Sequence, residues 1–345
     1  MQIIHQFYND YAETAHPACL QILAHQPLQQ EIGYGLDSIS EHARHLIQTK
    51  IQKNDADIHF CSGGTQANLT VIGSILRPHE AVIAVASGHI STHETGAIEA
   101  TGHKVIHVPH INGKLTPAAI EQVLHTHPNE HSVKPRMIFI SQSTELGTVY
   151  SHAELTALRT LCDRHQLYLY IDGARLGMAL VAENSDVTLR DIAQLADVFY
   201  IGGTKNGALL GEAIIIVNPA LQADFRYALK QRGALLAKGR VIASQFVALF
   251  EHDLYFELAR HANACAQRLR EGLSKLGFAF QTDSPTNQIF PILPNALIER
   301  LQQHYGFYIW ETLKNDTSVI RLVTSWATPM EKVEQFLSDL RVASV

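Results

Sequence analysis

Three short segments of the sequence place a glycine turn, a carboxylate and a lysine directly after runs of apolar and β-branched residues. Residues 60–69 read FCSGGTQANL, residues 167–177 read LYLYIDGARLG and residues 198–207 read VFYIGGTKNG. Short apolar runs of this kind are typical of buried strands. Ligands of open α/β sheets bind beyond the carboxyl ends of the strands. The three segments therefore predict one shared site.

The first segment leaves its strand through Gly63 and Gly64 and enters a helix near Thr65. Such a turn directs backbone N–H groups at an anion, and the dipole of the following helix favours a phosphate there. A Gly-Gly-Thr turn is also a common tight connection, so the turn alone is a weak indication. The Walker pattern of nucleotide-binding loops requires a glycine directly before its lysine. Neither SGGTQAN nor GGTKNG has one.

Asp172 ends the apolar run of the second segment, and Lys205 lies in the third. A carboxylate buried at a strand end is costly unless a cation or a strong donor faces it. Arg175 is one candidate partner, and a heterocyclic nitrogen that Asp172 keeps protonated is the other. Lys205 is a solvated loop charge, a phosphate ligand or a covalent catalyst.

These features together match the requirements of pyridoxal 5′-phosphate. An enzyme of that kind needs a lysine that bonds to the aldehyde of the cofactor, a carboxylate that keeps the ring nitrogen protonated and a turn that binds the phosphate. Lys205, Asp172 and the turn at Gly63 and Gly64 supply these groups in one predicted site. Each feature is ambiguous by itself, but the combination is much more specific.

The elements that must position these residues alternate between strand-like and helix-like segments, which predicts a mostly parallel sheet covered on both faces. The strand-like runs are residues 57–61, 81–86, 104–109, 137–141, 167–171, 198–201 and 213–217. The last two runs are too close for a helical crossover, so we expect that pair to be antiparallel. Ser91 with Glu94, and Ser151 with Glu154, read as capping boxes that begin two of the helices.

From about residue 220 the pattern changes. Residues 220–240 and 244–276 have helical periodicity, short strand-like pieces follow Gly277, and a last helix covers residues 330–342. This order predicts a smaller α+β domain packed against the large sheet.

Composition excludes several classes of protein. The 345 residues are 46% hydrophobic and 17% charged, which is ordinary for a soluble globular protein. A net charge of −6 without a basic stripe argues against nucleic acid as a partner. The longest apolar runs are shorter than the roughly 20 residues that a membrane helix needs, so no membrane partner is expected.

The positions of the cysteines and histidines indicate the cellular compartment and whether the protein binds a metal ion. Four cysteines without a CxxC pair suit a reducing cytoplasm and provide no zinc framework. The N-terminus shows no secretory signal, which also favours a cytoplasmic protein. The segment HISTH places His89 and His93 at i and i+4 but lacks the glutamate that the metalloprotease pattern has after the first histidine. We therefore expect no metal.

The sequence also resembles a known group, the low-specificity threonine aldolases and β-eliminating lyases of fold type I. The resemblance covers nearly the whole chain, and its most specific element is DGARL, followed by GYGLD. The segments that carry it are NDYAETAHP (9–17), GYGLD (33–37), SGGTQANL (62–69), GHISTHETGA (88–97), STELGTVYS (143–151), DGARLG (172–177), GGTKNG (202–207) and VIRLVTSW (319–326).

The resemblance implies the fold of the pyridoxal-phosphate-dependent transferases, with a seven-stranded mostly parallel sheet and a smaller C-terminal α+β domain. Residues 1–15 would reach the active site, residues 16–240 would form the large cofactor-binding domain and residues 241–345 the small domain. The implied oligomer is a homodimer or homotetramer with shared active sites. The implied reaction is retro-aldol cleavage of L-threonine, L-allo-threonine or another β-hydroxy amino acid to glycine and an aldehyde. Alternatives are β-elimination, transamination, or a regulatory protein that keeps the fold without turnover.

Roles for individual residues follow from the same resemblance. Lys205 would bond to the cofactor, Asp172 would pair with its ring nitrogen and His89 would stack on its ring; capping a nearby helix is the other role open to His89. The residues implied to bind the cofactor are Gly63, Gly64, Thr65, His89, Asp172, Arg175, Thr204 and Lys205. The residues implied to bind substrate are Asn9, Tyr34, Arg175 and Arg321, with Tyr34 reaching a neighbouring subunit's site.

The chain departs from the group at positions close to the chemistry. Glu145 and Ser325 stand where these aldolases tend to have histidine, and TKNGALLGE replaces the usual serine-lysine-glycine-leucine run. Glu145 is a catalytic group or a solvated loop carboxylate. The catalytic base is left open between His89, Glu145 and a water held by either.

Overall fold

A computed structural model describes residues 3–26 and 28–343 of the chain. The strands of the described residues are β1 (His5–Gln6), β2 (Asp57–Cys61), β3 (Glu80–Val85), β4 (Lys104–Val108), β5 (Lys134–Ser141), β6 (Tyr168–Asp172), β7 (Val198–Gly202), β8 (Glu212–Ile216), β9 (Gln288–Ile289), β10 (Ile292–Pro294), β11 (Tyr305–Gly306), β12 (Tyr308–Thr312) and β13 (Thr317–Val323). The helices of the same residues are α1 (Pro17–Ala24), α2 (Ser38–Ile51), α3 (Gly64–Ile75), α4 (His89–Thr92), α5 (Pro117–Thr126), α6 (His152–His165), α7 (Leu176–Leu180), α8 (Leu189–Leu195), α9 (Phe225–Gln231), α10 (Arg240–Phe250), α11 (Leu254–Lys275), α12 (Asn295–Gln302) and α13 (Met330–Ala343).

Seven strands form the large sheet in the order β2-β8-β7-β6-β5-β3-β4. The five strands from β7 to β4 in this order are parallel, whereas β8 is antiparallel to both of its neighbours. Each of the seven strand-like runs in the sequence forms one of these strands, and the predicted antiparallel pair is confirmed.

Helices cover both faces of this sheet. Successive residues of a strand point to opposite faces, and in β3 Val82 joins one hydrophobic core while Ile83 joins the other. The core around Ile83 also takes up Ile47 of α2. The core around Val82 takes up Val71 of α3. All residues of β3, β7 and β8 are buried, which is why these strands read as continuous apolar runs in the sequence.

A second, smaller sheet lies in the C-terminal part of the chain. It has the order β10-β13-β12, and β9 also pairs with β13. Helices α11, α12 and α13 supply a separate hydrophobic core for it, which includes Leu269, Leu301 and Phe336. Strand β1 pairs in parallel with β11, so His5 and Gln6 lie against this C-terminal part.

Three local predictions from the sequence differ from the structure. Residues 244–276 are not one helix, because α10 ends at Phe250 and α11 begins at Leu254. Residues 220–240 are not one helix, because α9 ends near Gly233, whose φ of +70° is left-handed, and α10 starts only at Arg240. The capping box at Ser151 and Glu154 is confirmed, with both of its hydrogen bonds formed. The box expected at Ser91 is wrong, since α4 already begins at His89 and the Ser91 hydroxyl donates to the carbonyl of Val85.

Candidate active site

A cleft of about 480 Å³ opens at the carboxyl ends of the parallel strands, between the large sheet and strands β12 and β13. Loops that follow β3, β5, β6 and β7 contribute to it, as the sequence pattern predicts for a ligand site. The residues that line the cleft are Tyr11, His89, His93, Glu145, Arg175, Lys205, Gln288, Tyr308, Ile309, Trp310 and Arg321.

Lys205 lies in the hairpin between β7 and β8. The pKa of its amine is lowered, first by burial and then by the nearby charge of Arg175, so more of the amine is neutral than in a solvated lysine. Its Nζ is 6.0 Å from the centroid of the Tyr11 ring. A neutral amine facing a cleft is the nucleophilic form of lysine, which favours the covalent role over that of a solvated charge.

Glu212 holds the segment before Lys205 in place. Its carboxylate accepts hydrogen bonds from the Gly203 N–H at 2.9 Å and from the Thr204 hydroxyl at 2.8 Å. Burial raises the pKa of Glu212 to about 7. The Thr204 hydroxyl also accepts from the Gly211 N–H at 3.0 Å. The side chain of Thr204 therefore faces Glu212 and the β7–β8 hairpin.

Asp172 ends β6 and is buried. Its Oδ1 accepts from the Tyr200 hydroxyl at 2.5 Å and from the Ala174 N–H at 3.0 Å, and its Oδ2 accepts from Asn68 Nδ2 at 3.2 Å. Uncharged donors thus surround this carboxylate. The alternative in which Arg175 pairs with Asp172 does not match the structure.

Arg175 instead pairs with Asp10, a residue that the sequence analysis missed. Its Nε lies 2.7 Å from Asp10 Oδ2 and its Nη2 lies 3.0 Å from Oδ1, so the pair is bidentate. Asn287 Nδ2 also donates to Asp10 at 2.9 Å. Although burial opposes it, the charges of Arg175 and Lys205 lower the pKa of Asp10. The only signal in the sequence was the place of Asp10 in the segment NDYAETAHP.

Arg321 reaches the cleft from β13. Its guanidinium carbon lies 5.3 Å from the centroid of the Tyr308 ring and 5.1 Å from that of Trp310. Its Nη2 donates to the carbonyl of Tyr8 at 3.3 Å, while its Nε is buried and has no hydrogen-bond partner among the described residues. Burial and the charge of Arg175 lower the pKa of Arg321. Arg321 lines the cleft and donates only this one hydrogen bond to the described residues, so its guanidinium keeps unused donors.

A network of acidic and imidazole groups forms the wall after β3 and β5. His89 Nδ1 lies 2.7 Å from Glu94 Oε1, and Glu94 is buried. Glu145 Oε1 accepts from the His89 N–H at 2.9 Å and from the Ser141 hydroxyl at 2.7 Å. Burial raises the pKa of Glu145, so Glu145 is not the solvated loop carboxylate of the plainer interpretation.

The predicted phosphate turn lies at the start of α3. Gly63 precedes the helix, Gly64 begins it, and no side chain caps its first N–H groups. Thr65 is exposed there. Asn68, one helical turn after Gly64, donates to Asp172, so the turn and the buried carboxylate belong to one arrangement. A Cβ on Gly64 would lie 3.0 Å from the Tyr200 hydroxyl, which is tighter than most Cβ contacts.

Eight residues singled out in the sequence do not line this cleft: Gly63, Gly64, Thr65, Asp172 and Thr204, which are described above, and Asn9, Tyr34 and Ser325. Asn9 accepts a hydrogen bond from the Tyr11 N–H at 3.0 Å, next to Asp10. Tyr34 is 42% exposed, and Lys230 Nζ lies 4.4 Å from the centroid of its ring. Ser325 is buried and donates to Glu13 Oε1 at 2.7 Å.

Residues 3–26 and 28–343 contain no group of three or more His, Cys, Asp or Glu side chains arranged to hold a metal ion. In the same part of the chain, no helix combines the length and the apolar character needed to cross a membrane.

Known proteins with a similar fold and a similar sequence indicate the class to which this protein belongs. A double mutant of aspartate aminotransferase from Thermus thermophilus is 18% identical and superposes with a TM-score of 0.72, covering 99% of this chain and 91% of that chain. The α/β fold is thus that of the fold type I enzymes that use pyridoxal phosphate. The chain belongs to the beta-eliminating lyase family, whose model matches residues 21–295.

Individual members of this family are more similar. A threonine aldolase from Leishmania major is 47% identical and superposes with a TM-score of 0.96, covering 98% of this chain and 99% of that chain. The low specificity L-threonine aldolase of Pseudomonas aeruginosa is 32% identical, covering 98% of this chain and 97% of that protein.

Proposed function

We propose that the protein is a carbon–carbon lyase that uses pyridoxal 5′-phosphate to cleave L-threonine, L-allo-threonine or another β-hydroxy amino acid into glycine and an aldehyde. The observation that carries this proposal is the cleft, which brings a lysine of lowered pKa and an arginine with an unused donor to one edge of the sheet. The similarity to two threonine aldolases over nearly the full chain supports it.

The residues at the strand ends fit the cofactor. Lys205 offers an amine to its aldehyde, and Asp172 offers a buried carboxylate whose Oδ2 has only one hydrogen bond, of 3.2 Å, among the described residues. The uncapped first turn of α3, with Gly63, Gly64 and Thr65, suits a phosphate. When bound, pyridoxal 5′-phosphate would supply an electron-withdrawing ring that stabilises negative charge on the α-carbon of the substrate.

The other predicted ligands receive roles from their contacts. His89, fixed by Glu94, would lie against the cofactor ring. Arg321 would bind the α-carboxylate of the substrate through its unused donor, since guanidinium groups pair with carboxylates in two-bond geometry. Arg175, held in place by Asp10, would contribute a second positive charge to binding of the α-carboxylate. Thr204 would orient the segment that carries Lys205.

β-Elimination is the second candidate, because the family model that matches is that of the beta-eliminating lyases. In that reaction the Cα–H bond breaks, with Lys205 as the base, and a group on Cβ leaves. The products are a 2-oxo acid and ammonia, so the products distinguish it from the aldol cleavage.

We also propose a cytoplasmic homo-oligomer, a dimer or a tetramer, with Tyr34 completing a neighbouring subunit's site. One surface segment supports it, because Ile32, Tyr34 and Leu36 are exposed large side chains that alternate with two glycines over five residues. The four cysteines are free, which suits the cytoplasm. We keep the division into residues 1–15, 16–240 and 241–345 as the domain proposal.

The test of the function is aldehyde release by the cofactor-loaded protein. We expect acetaldehyde and glycine in equal amounts from L-threonine and L-allo-threonine, and the ratio of the two rates measures the selectivity at Cβ. The control is Lys205→Ala, which should abolish both turnover and the absorbance of the covalently bound cofactor. A 2-oxo acid and ammonia in place of the aldehyde would contradict the aldolase proposal and support β-elimination.

A further inference from the structure

Retro-aldol cleavage needs a group that accepts the proton of the β-hydroxyl. The histidine and carboxylate side chains that line the cleft are His89, His93 and Glu145. A base must have a free lone pair and must reach the substrate. The contacts of the three groups, and the roles already assigned to them, therefore distinguish them.

His89 and Glu145 are both engaged in holding the site together. His89 Nδ1 is bound to the buried Glu94, and the His89 ring is the one that we assign to the face of the cofactor ring. The backbone N–H of His89 and the Ser141 hydroxyl both donate to Glu145 Oε1. These two bonds fix Glu145 in the wall of the cleft and leave Oε2 as its one oxygen without a hydrogen bond among the described residues.

His93 is not engaged in this way. Its backbone N–H donates to the carbonyl of His89, so the two imidazoles lie one helical turn apart, with ring centroids 5.6 Å apart. Its side chain is exposed toward the cleft and makes no hydrogen bond with any side chain or backbone group of residues 3–26 and 28–343. Both ring nitrogens are free to meet a ligand.

The charges around His93 favour its neutral form. Burial lowers the pKa of His93, and the charges of His89, Arg321, Lys205 and Arg175 lower it further. A neutral imidazole can accept a proton, whereas imidazolium cannot. Arg321, Arg175 and Lys205 are the cations that we propose to bind the substrate and the cofactor. His93 therefore faces the place where the reaction would occur.

We propose that His93 is the catalytic residue that accepts the β-hydroxyl proton, an inference that rests on the aldolase function proposed above. The proton passes from the hydroxyl oxygen to a ring nitrogen of His93, and the electron pair of the O–H bond forms the C=O bond of the aldehyde. The Cα–Cβ bond breaks, and its electron pair stays on the α-carbon. A proton added to that carbon completes glycine, and His93 returns its proton to solvent.

The experiment compares two reactions of the loaded enzyme. Cleavage of L-threonine needs the β-hydroxyl base, whereas exchange of the glycine α-proton in D₂O uses the same binding site without a β-hydroxyl. For His93→Asn we expect kcat for cleavage to fall about 100-fold, while the exchange rate and the dissociation constant of glycine change less than about threefold. His125→Asn, which changes an exposed histidine on α5, is the matched control and should alter neither reaction.

A second readout does not depend on turnover. The imidazole NMR signal that is missing in His93→Asn identifies His93. In the wild-type enzyme we expect this signal to titrate at a pH below the ordinary histidine range. The acid limb of kcat/KM should follow the same titration. Cleavage by His93→Asn at near wild-type rates would overturn the role of His93. An equal fall of cleavage and exchange would also overturn it, since His93 would then serve binding. A wild-type enzyme that releases no aldehyde but exchanges glycine would instead overturn the proposed function.

Discussion

Arg175 and Arg321 are the two cations predicted to hold the substrate carboxylate, and their hydrogen bonds differ. Arg175 donates two hydrogen bonds to Asp10. The buried Nε of Arg321, in contrast, has no hydrogen-bond partner among the described residues. The other donors of Arg321, apart from the one bound to the Tyr8 carbonyl, have no partner among the described residues. We therefore expect Arg321 to contribute more than Arg175 to binding of the substrate carboxylate.

Replacement of Arg321 should therefore affect substrate binding and not folding. Arg321→Lys cannot form a bidentate pair, so we expect KM for L-threonine to rise about 10-fold to 100-fold, which corresponds to about 1.5–3 kcal/mol for a charged hydrogen bond. The melting temperature of the apoprotein should change little. Arg268→Lys, on the exposed ion pair with Glu334, is the control. An unchanged KM would move the carboxylate site away from Arg321.

Replacement of Asp10 should affect folding first. Asp10→Ala leaves Arg175 buried without its partner, which costs about 3–5 kcal/mol in such pairs. Urea unfolding at neutral pH measures this loss. In Asp10→Ala/Arg175→Met, the charge of Arg175 is gone as well, so the double variant should be more stable than Asp10→Ala. If the double variant is the less stable of the two, the unpaired charge is not the cause.

The pair of Asp10 and Arg175 also makes the free energy of unfolding depend on pH. The pKa of Asp10 is lower in the folded protein than its ordinary value. Its contribution to stability is therefore fully present above the ordinary aspartate pKa of about 3.9 and is lost as the pH falls through the lower folded value. The wild-type protein should lose this stability in acid.

The strands were predictable from the sequence because burial on both faces requires unbroken apolar runs, as in residues 198–201 and 213–217. Helix starts were less predictable, because a local signal competes with distant partners. Glu94 has the spacing of a capping residue, but its carboxylate accepts a hydrogen bond from Asn68 Nδ2 at 2.6 Å and lies beside His89 Nδ1. Local spacing cannot reveal such a partner.

The cleft was predictable to the extent that it lies at strand ends. Lys205, Arg175, His89 and Glu145 come together there as the strand pattern predicts, although their roles remain predictions. Asp10 was not predictable, because it meets Arg175 across 165 positions of the chain. His93, Tyr308 and Trp310 were not assigned to the site, because their part in it depends on how α4 and β12 are placed around the cleft.

The turn after β6 approaches β7 so closely that only glycine fits at position 173. A Cβ on Gly173 would lie 1.8 Å from the carbonyl oxygen of Tyr200, an atom of the strand backbone that cannot move away alone. We expect Gly173→Ala to cost more than about 3 kcal/mol in the free energy of unfolding, beyond ordinary overpacking. Gly63→Ala is the control, because a Cβ there meets nothing within 4 Å and the backbone is extended. Equal stability of the two variants would contradict this explanation.

The proposed oligomer would give Tyr34 a role in a neighbouring site. Within one chain Tyr34 lies outside the cleft, with its ring near Lys230 and its backbone held by Arg226 and Ala237. Its φ of +62° is left-handed, which bulky residues adopt only when the surrounding structure imposes it. Ile32 and Leu36 of the same segment are exposed. The contact with a second copy that we propose would cover these side chains.

Mixing two inactive variants tests this arrangement. Lys205→Ala and Tyr34→Ala should each have little activity, because one lacks the amine and the other lacks the tyrosine offered to the neighbouring site. After refolding together in equal amounts, half of the dimers are mixed, and each mixed dimer has one site with both native residues. About a quarter of the wild-type activity should therefore return by this symmetry argument. If the mixture regains no activity while each variant binds pyridoxal 5′-phosphate and forms the native oligomer, Tyr34 serves its own chain and the sites are not shared.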